Sequence, residues 1–180
     1  SLDFTAVYNR ETTFFTGING GAYTDFYYAI YRSNVLIENF QFVTDLTAAD
    51  ELRLEAEARF VRAICHWGAV KIYARPYGYT PDNSHPGVPL RLKSSQDPLP
   101  RAPVGAVYAA IVEDLNFALL NLPSTNGVYA TQHAARAYLA QVHFQMGDYA
   151  LAASYASSII ESGDFTLDED LDRFETDMIN

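Results

Sequence analysis

Cysteine is nearly absent. Cys65 is the only one in 180 residues, which excludes an internal disulfide framework and a cysteine-built zinc site. It leaves the compartment open, because a disulfide-free protein suits either redox environment. Basic residues are scarce too: 12 Lys and Arg face 22 Asp and Glu, for a formal charge of −10 and a pI near 4.6. An acidic chain without a Lys/Arg cluster repels phosphate backbones, which argues against nucleic-acid binding. No apolar run approaches the ~18–20 residues of a membrane span, and no charged n-region with an apolar h-region follows Ser1. The sequence does not begin with Met and reads as a processed protein or a piece of one. With 49% apolar residues it is long enough for one domain with a sizeable core.

Aromatic residues are abundant, with 13 Tyr, 11 Phe and one Trp. Nine fall between Phe4 and Tyr31, interleaved with Thr, Asn and Gly. Residues 1–22 show no sustained helical period, and Gly17, Gly20 and Gly21 are expected to interrupt any helix there. From Thr24 an apolar stripe of Phe26, Ile30, Leu36, Ile37 and Phe40 predicts a helix running to Phe42. Thr47 with Asp50 reads as a capping box opening a second helix over about 50–74. Its face is Leu52, Ala56, Phe60, Ala63, Trp67 and Val70, and Glu55 is spaced to pair with Arg59. The place of Trp67 on that face assigns it to the core.

Seven of the eight prolines lie between Pro76 and Pro103. That stretch is a long loop whose one apolar piece, Gly87 to Leu90, fits a pinned extended segment. Pro103 suits the first turn of a third helix to residue 121, with Val104, Val107, Ile111, Leu115, Ala118 and Leu122 on its face. Thr131 caps a fourth helix through Met146. Gly147 suits a left-handed C-terminal position, and Asp148 can cap a fifth helix through Ile160. A connection this short makes the last two helices antiparallel. The reading is an all-α fold of helical hairpins with a long proline-rich loop.

The hairpin at 131–160 alternates Ala134, Ala137, Ala140, Ala152 and Ala156 with large residues. With Leu139, Gly147, Tyr149 and Ala152 as its tokens, it resembles a tetratricopeptide unit. The ordered segments YRSNVLIEN, EAEARFVRAICHWGAVKIYARPYG, GVPL, RAPVGAVYAAIVEDLNFALLNLP, ATQHAARAYLAQVHFQMGDYALAASYASSII and GDFTL, over about 24–167, resemble the SusD/RagB family. One departure is Gly105, where the family often has an acidic residue. The resemblance implies a tetratricopeptide-like helical scaffold and a surface lipoprotein of the outer membrane. It implies capture of nutrient oligosaccharides without catalysis, and hand-over to a TonB-dependent, SusC-like transporter. Family members are longer, with a lipidated N-terminal cysteine and a large C-terminal region. Residues 1–180 are therefore expected to be one helical domain from a longer protein, its lipid anchor lying upstream.

Tyr8, Phe14, Phe15, Tyr23 and Asn19 are the first candidates for sugar contact, because flat rings stack on apolar sugar faces while hydroxyls and amides bond ring hydroxyls. They can equally pack under the helices. Tyr77 and Tyr79, with Arg75, are the second group, on a loop that either presents them to a ligand or folds back on its own domain. His66, His85, His133 and His143 lack metal-ligand spacing. Asp168, Asp170 and Asp172 start like a calcium loop, but Arg173 replaces its glycine and Ile179 its final glutamate. No nucleophile elbow, P-loop or dinucleotide fingerprint is present, so neither a catalytic residue nor a cofactor is expected. Two rival classes stay open. A tetratricopeptide-type adaptor would hold a peptide in its concave face, and a glycosidase would place two carboxylates about 5–10 Å apart in a cleft.

Overall fold

Among the described residues five α-helices of more than two turns form in chain order, and their caps and contacts explain where they begin and end. The structure is a computed structural model that describes Tyr8, Asn9, Glu11 and residues 17–166, the side chains of 17–19 excepted. Phe14, Phe15 and the Asp168–Asp172 motif lie outside the described residues. The helices are α1 (Gly17–Asn39, continued by a 3-10 turn at Phe40–Phe42), α2 (Ala48–Tyr73), α3 (Val104–Asn121), α4 (Gln132–Met146) and α5 (Tyr149–Ile160).

Helix α1 starts at Gly17, not at Thr24 as the pattern suggested. Each glycine costs about 0.5–1 kcal/mol relative to alanine in a helix, and tertiary contact overrides that here. The Tyr23 ring meets Tyr73 of α2 edge-on at 5.2 Å, while Phe26 packs so closely on Gly68 that a Cβ there would sit 2.7 Å from its ring. Thr24 Oγ1 also donates to the Gly20 carbonyl at 3.0 Å. The buried stripe differs from the expected one as well. Ile30 and Phe40 are buried, but Leu36 is exposed, and Ser33 and Asn34 take the interior positions.

In α2 the cap forms as read, with Thr47 Oγ1 accepting from the Asp50 amide at 3.1 Å and donating to its carboxylate at 2.7 Å. Glu55 and Arg59 pair at 2.7 Å. Ala56, Phe60, Ala63, Trp67 and Val70 are buried, whereas Leu52 near the start is exposed. All six expected face residues of α3 are buried. Its 18 residues have a mean hydropathy of 1.3, so by length and composition it matches a membrane span, contrary to the sequence reading. It instead fills the centre of the bundle between α2 and α4. Complete burial of Ile111, Leu115 or Leu122 stabilises by about 1.5–3 kcal/mol each.

The α4–α5 hairpin turns at Gly147, whose φ of 82° favours glycine. Thr131 caps α4 by accepting from the Ala134 amide at 3.2 Å. Asp148 stands at the head of α5 but makes no capping bond. Its carboxylate lies within 3.4 Å of His143 Nδ1, and the His143 ring stacks on Tyr155.

The proline-rich loop folds back over α2 and α3. The Gly87 amide donates to the Ala102 carbonyl at 2.7 Å, and the Ala102 amide returns a bond to Val88 at 3.0 Å. A single antiparallel bridge joins Pro86 to Pro103 among the described residues. Val88 is buried beneath it.

Two arginines of α2 reach Asp114 of α3: the half-buried Arg59, whose Nη1 lies 3.6 Å from Oδ1, and the buried Arg62. Arg62 of α2 donates through Nε and Nη2 to the two carboxylate oxygens of Asp114 on α3, both at 2.7 Å. Burial still pushes the Asp114 carboxyl above its ordinary value, with Arg62 pulling the other way. Such a pair adds little net stability, but removing one partner strands the other charge. We expect Arg62→Met to destabilise the full chain by about 3–5 kcal/mol in urea unfolding, and Arg62→Met with Asp114→Leu to recover most of that loss.

Candidate functional site

Tyr23, Tyr27 and Tyr31 recur at i, i+4 and i+8 on α1, and that spacing lines them along one helical face. Tyr28 stands beside them, 61% exposed. Opposite this stripe runs the loop segment carrying Arg91, Ser95 and Gln96. The two sides enclose an open cleft of about 410 Å³.

The loop wall is held by side chains rather than by a sheet. The Tyr27 phenol donates to the Pro89 carbonyl at 2.8 Å, and burial raises its pKa well above the ordinary tyrosine value. Asn34 Nδ2 donates to the carbonyls of both Arg91, at 3.1 Å, and Lys93, at 3.0 Å. Its Oδ1 accepts from Arg62 Nη1 at 2.8 Å. Glu38 accepts from the Ser94 amide and hydroxyl, which lowers its pKa. Successive residues of an irregular segment are thus satisfied by α1 and α2, as buried backbone requires.

His66 completes this set. Its Nδ1 lies 3.0 Å from the Arg62 carbonyl, and its Nε2 lies 3.3 Å from the Arg91 amide. The carbonyl only accepts and the amide only donates, so the neutral Nδ1–H tautomer is required. Burial first, and then the Arg62 charge, push the imidazole down to about 4.

Arg91 shapes the rim. Nη1 donates to the Ser95 carbonyl at 2.6 Å and Nη2 to the Asp97 carbonyl at 2.7 Å. Ser95 in turn donates its hydroxyl to the Asp97 carboxylate at 2.5 Å. The cleft therefore offers aromatic surface on one side and hydroxyl, amide and phenol groups around it. That combination suits a polyhydroxylated ligand with an apolar face.

The residues singled out from the sequence are dispersed. Tyr23 lines the cleft. Tyr8 is 88% exposed, and the backbone of Asn19 lies in the first turns of α1. Tyr77 packs on Tyr108 with centroids 4.9 Å apart. Tyr79 is 58% exposed, with Arg75 at 5.2 Å over its ring and His85 at its edge. Tyr77 and Tyr79 share one turn, where the Tyr79 amide donates to Pro76, but neither lines the tyrosine cleft. Tyr27, Tyr28 and Tyr31 are not among the residues singled out from the sequence, although the spacing of Tyr27 and Tyr31 with Tyr23 is legible there. Arg91, Ser95 and Gln96 carried no local signal.

A larger groove of about 600 Å³ lies among α2, α4 and α5, walled by Trp67, Phe144 and Tyr149 over a floor of Ala140, Ala152 and Ala156. Lys71 Nζ sits 3.3 Å from the Trp67 ring centroid and covers that face. Gln145 Oε1 is engaged by Trp67 and Tyr108. The tyrosine cleft differs from this groove in setting four phenols against a rim that carries hydroxyl, amide and guanidinium groups.

Antiparallel helix pairs ending in a small-residue hairpin define an all-α, tetratricopeptide-like scaffold. The SusD-like family described as "Starch-binding associating with outer membrane" matches residues 2–144. The chain belongs to that SusD-like family. A SusD-like protein, P25, of Formosa agariphila is 24% identical over 147 residues, covering 79% of this chain and 26% of its own. A SusD superfamily protein from Bacteroides fragilis has the same fold with a TM-score of 0.81 and 25% identity, over 93% of this chain and 40% of its own. A laminarin-binding SusD-like protein aligns with a TM-score of 0.64 and 26% identity, over 77% of this chain and 29% of its own. The chain thus spans between 26% and 40% of the length of these relatives.

The state of His66 gives the site a pH signature. The folded imidazole binds its proton only near pH 4, the unfolded one near 6.5. The unfolded chain therefore takes up more protons between those values, and stability, full above pH 6.5, falls as the pH drops through the window. We expect wild type to lose about 3 kcal/mol relative to His66→Gln between pH 7 and pH 4, read from urea unfolding at each pH.

Proposed function

We propose that the chain is the helical part of a SusD-like protein that binds nutrient glycans at the cell surface. The bound sugar is then handed to a TonB-dependent, SusC-like outer-membrane transporter. The reading makes it a lipoprotein anchored through an upstream lipid, and its action is equilibrium capture with no bond broken. The observation that carries the glycan reading is the tyrosine stripe of α1 facing the rim of Arg91, Ser95 and Gln96. Membership of a family described as starch-binding and associated with the outer membrane supports it, as does the laminarin-binding relative.

Binding would place a sugar ring against Tyr28 and Tyr31, with its hydroxyls on the phenols, Ser95 and Gln96. Tyr23 and Tyr27 form the floor, their rings 4.5 Å apart. Tyr77 and Tyr79, together with Tyr8, Phe14, Phe15 and Asn19, are retained as proposed outer contacts of a longer glycan.

The groove walled by Trp67, Phe144 and Tyr149 favours a second reading, a tetratricopeptide-type adaptor for a protein partner. Cross-linking in native cells separates the two: recovery of a TonB-dependent barrel fits the first, and soluble partners alone fit the second. For the glycan site, we expect Tyr28→Ala combined with Tyr31→Ala to weaken binding of laminarihexaose or maltoheptaose by at least tenfold. Calorimetric titration reads the affinity, and circular dichroism checks that the variant is folded, since Tyr28 is exposed but Tyr31 is half-buried.

A further inference from the structure

We infer that the tyrosine cleft selects uncharged sugar units and discriminates against uronate-rich and sulfated glycans. The inference rests on the cleft being a glycan site and adds its charge preference. Recognition of a carboxylate or sulfate needs an open guanidinium fork, a free ammonium or converging backbone amides. The cation lining the cleft, Arg91, has both terminal nitrogens tied to the carbonyls of Ser95 and Asp97. It builds the rim instead of presenting a fork. Arg32, exposed and outside the lining of the cleft, lies over the Tyr28 ring at 5.5 Å.

The other lining groups are neutral: Tyr23, Thr24, Tyr27, Tyr28, Tyr31, Ser95 and Gln96. The Tyr27 phenol is kept protonated by burial and donates to Pro89. Two carboxylates flank the loop wall, Asp97 at the rim and Glu38 beneath Ser94. The whole chain carries a formal charge of −10. Among the described residues lining the cleft, Arg91 is the one cation, and its terminal nitrogens are already committed to two carbonyls, so a polyanion finds no open fork in the wall. A neutral sugar finds ring faces to stack on and hydroxyl-scale partners at the edge.

The test compares probes on the full-length protein by calorimetric titration at 20 mM and 150 mM salt. Maltoheptaose and laminarihexaose are the neutral probes. Octagalacturonate and a sulfated galactan oligosaccharide are the anionic ones. Binding of a neutral probe, lost at least tenfold in the Tyr28→Ala, Tyr31→Ala variant, with anionic probes at least a hundredfold weaker at both salts, is the expected result. An anionic probe that binds as tightly and loses affinity in the same variant overturns the charge preference while leaving the cleft a glycan site. A neutral probe that binds wild type and variant equally, both folded by circular dichroism, overturns the cleft reading and the inference with it. So does failure of all four probes to bind the folded full-length protein.

Discussion

The structure depends on a buried polar junction where Asn34, Arg62 and Asp114 meet. Asn34 is 1% exposed, and Arg62 and Asp114 are nearly as enclosed. Each of their hydrogen-bonding groups must find a partner inside the protein, because an unpaired buried polar group costs about 1–3 kcal/mol. They find it in one another and in the carbonyls of Arg91, Leu92 and Lys93. The constraint runs both ways. The junction is satisfied only if the loop lies across α1 and α2, and the loop has no sheet to hold it otherwise. Three helices, an ion pair and an irregular segment therefore lock together, and the cleft wall is a consequence of that lock.

The same logic places function beside stability. A loop pinned at Pro89, Arg91, Lys93 and Ser94 presents Arg91, Ser95 and Gln96 at a fixed distance from the tyrosines. Pre-ordering of this kind lowers the entropic cost of ligand binding. The buried ion pair contributes specificity of arrangement more than net energy, since desolvation offsets most of its Coulomb gain. The neutral state of His66 belongs to the same arrangement, because a second N–H on the ring would point at the Arg91 amide.

Much of the helical framework was legible in the sequence because it rests on local rules. Thr47 and Thr131 as caps, Gly147 at the turn, and the heptad-like faces of α2 and α3 are readable from spacing alone. The start of α1 was not, because Phe26 closing on Gly68 is a contact between residues 42 positions apart, and it outweighs the glycines. Asp148 stands at the head of α5 without a capping bond, its carboxylate 3.4 Å from His143 Nδ1 on the preceding helix. Of the cleft, the tyrosines are half legible: Tyr23 stands out by composition, and its period with Tyr27 and Tyr31 marks one helical face without showing what lies opposite. The loop side was illegible, because only the long-range bonds of Asn34, Arg62 and His66 bring Arg91 and Ser95 to face α1. Asn34 reads locally as an ordinary mid-helix polar residue, and nothing beside it announces a partner 57 residues away.

The account stands on a ligand lying between the α1 tyrosines and the pinned loop. The most direct measurement is a crystal structure of the full-length protein with a bound oligosaccharide, maltoheptaose or laminarihexaose. The account predicts a sugar ring stacked on Tyr28 or Tyr31, within hydrogen-bond distance of Ser95 or Gln96, and the loop unmoved. A well-ordered oligosaccharide bound elsewhere, with this cleft holding only water, would contradict it.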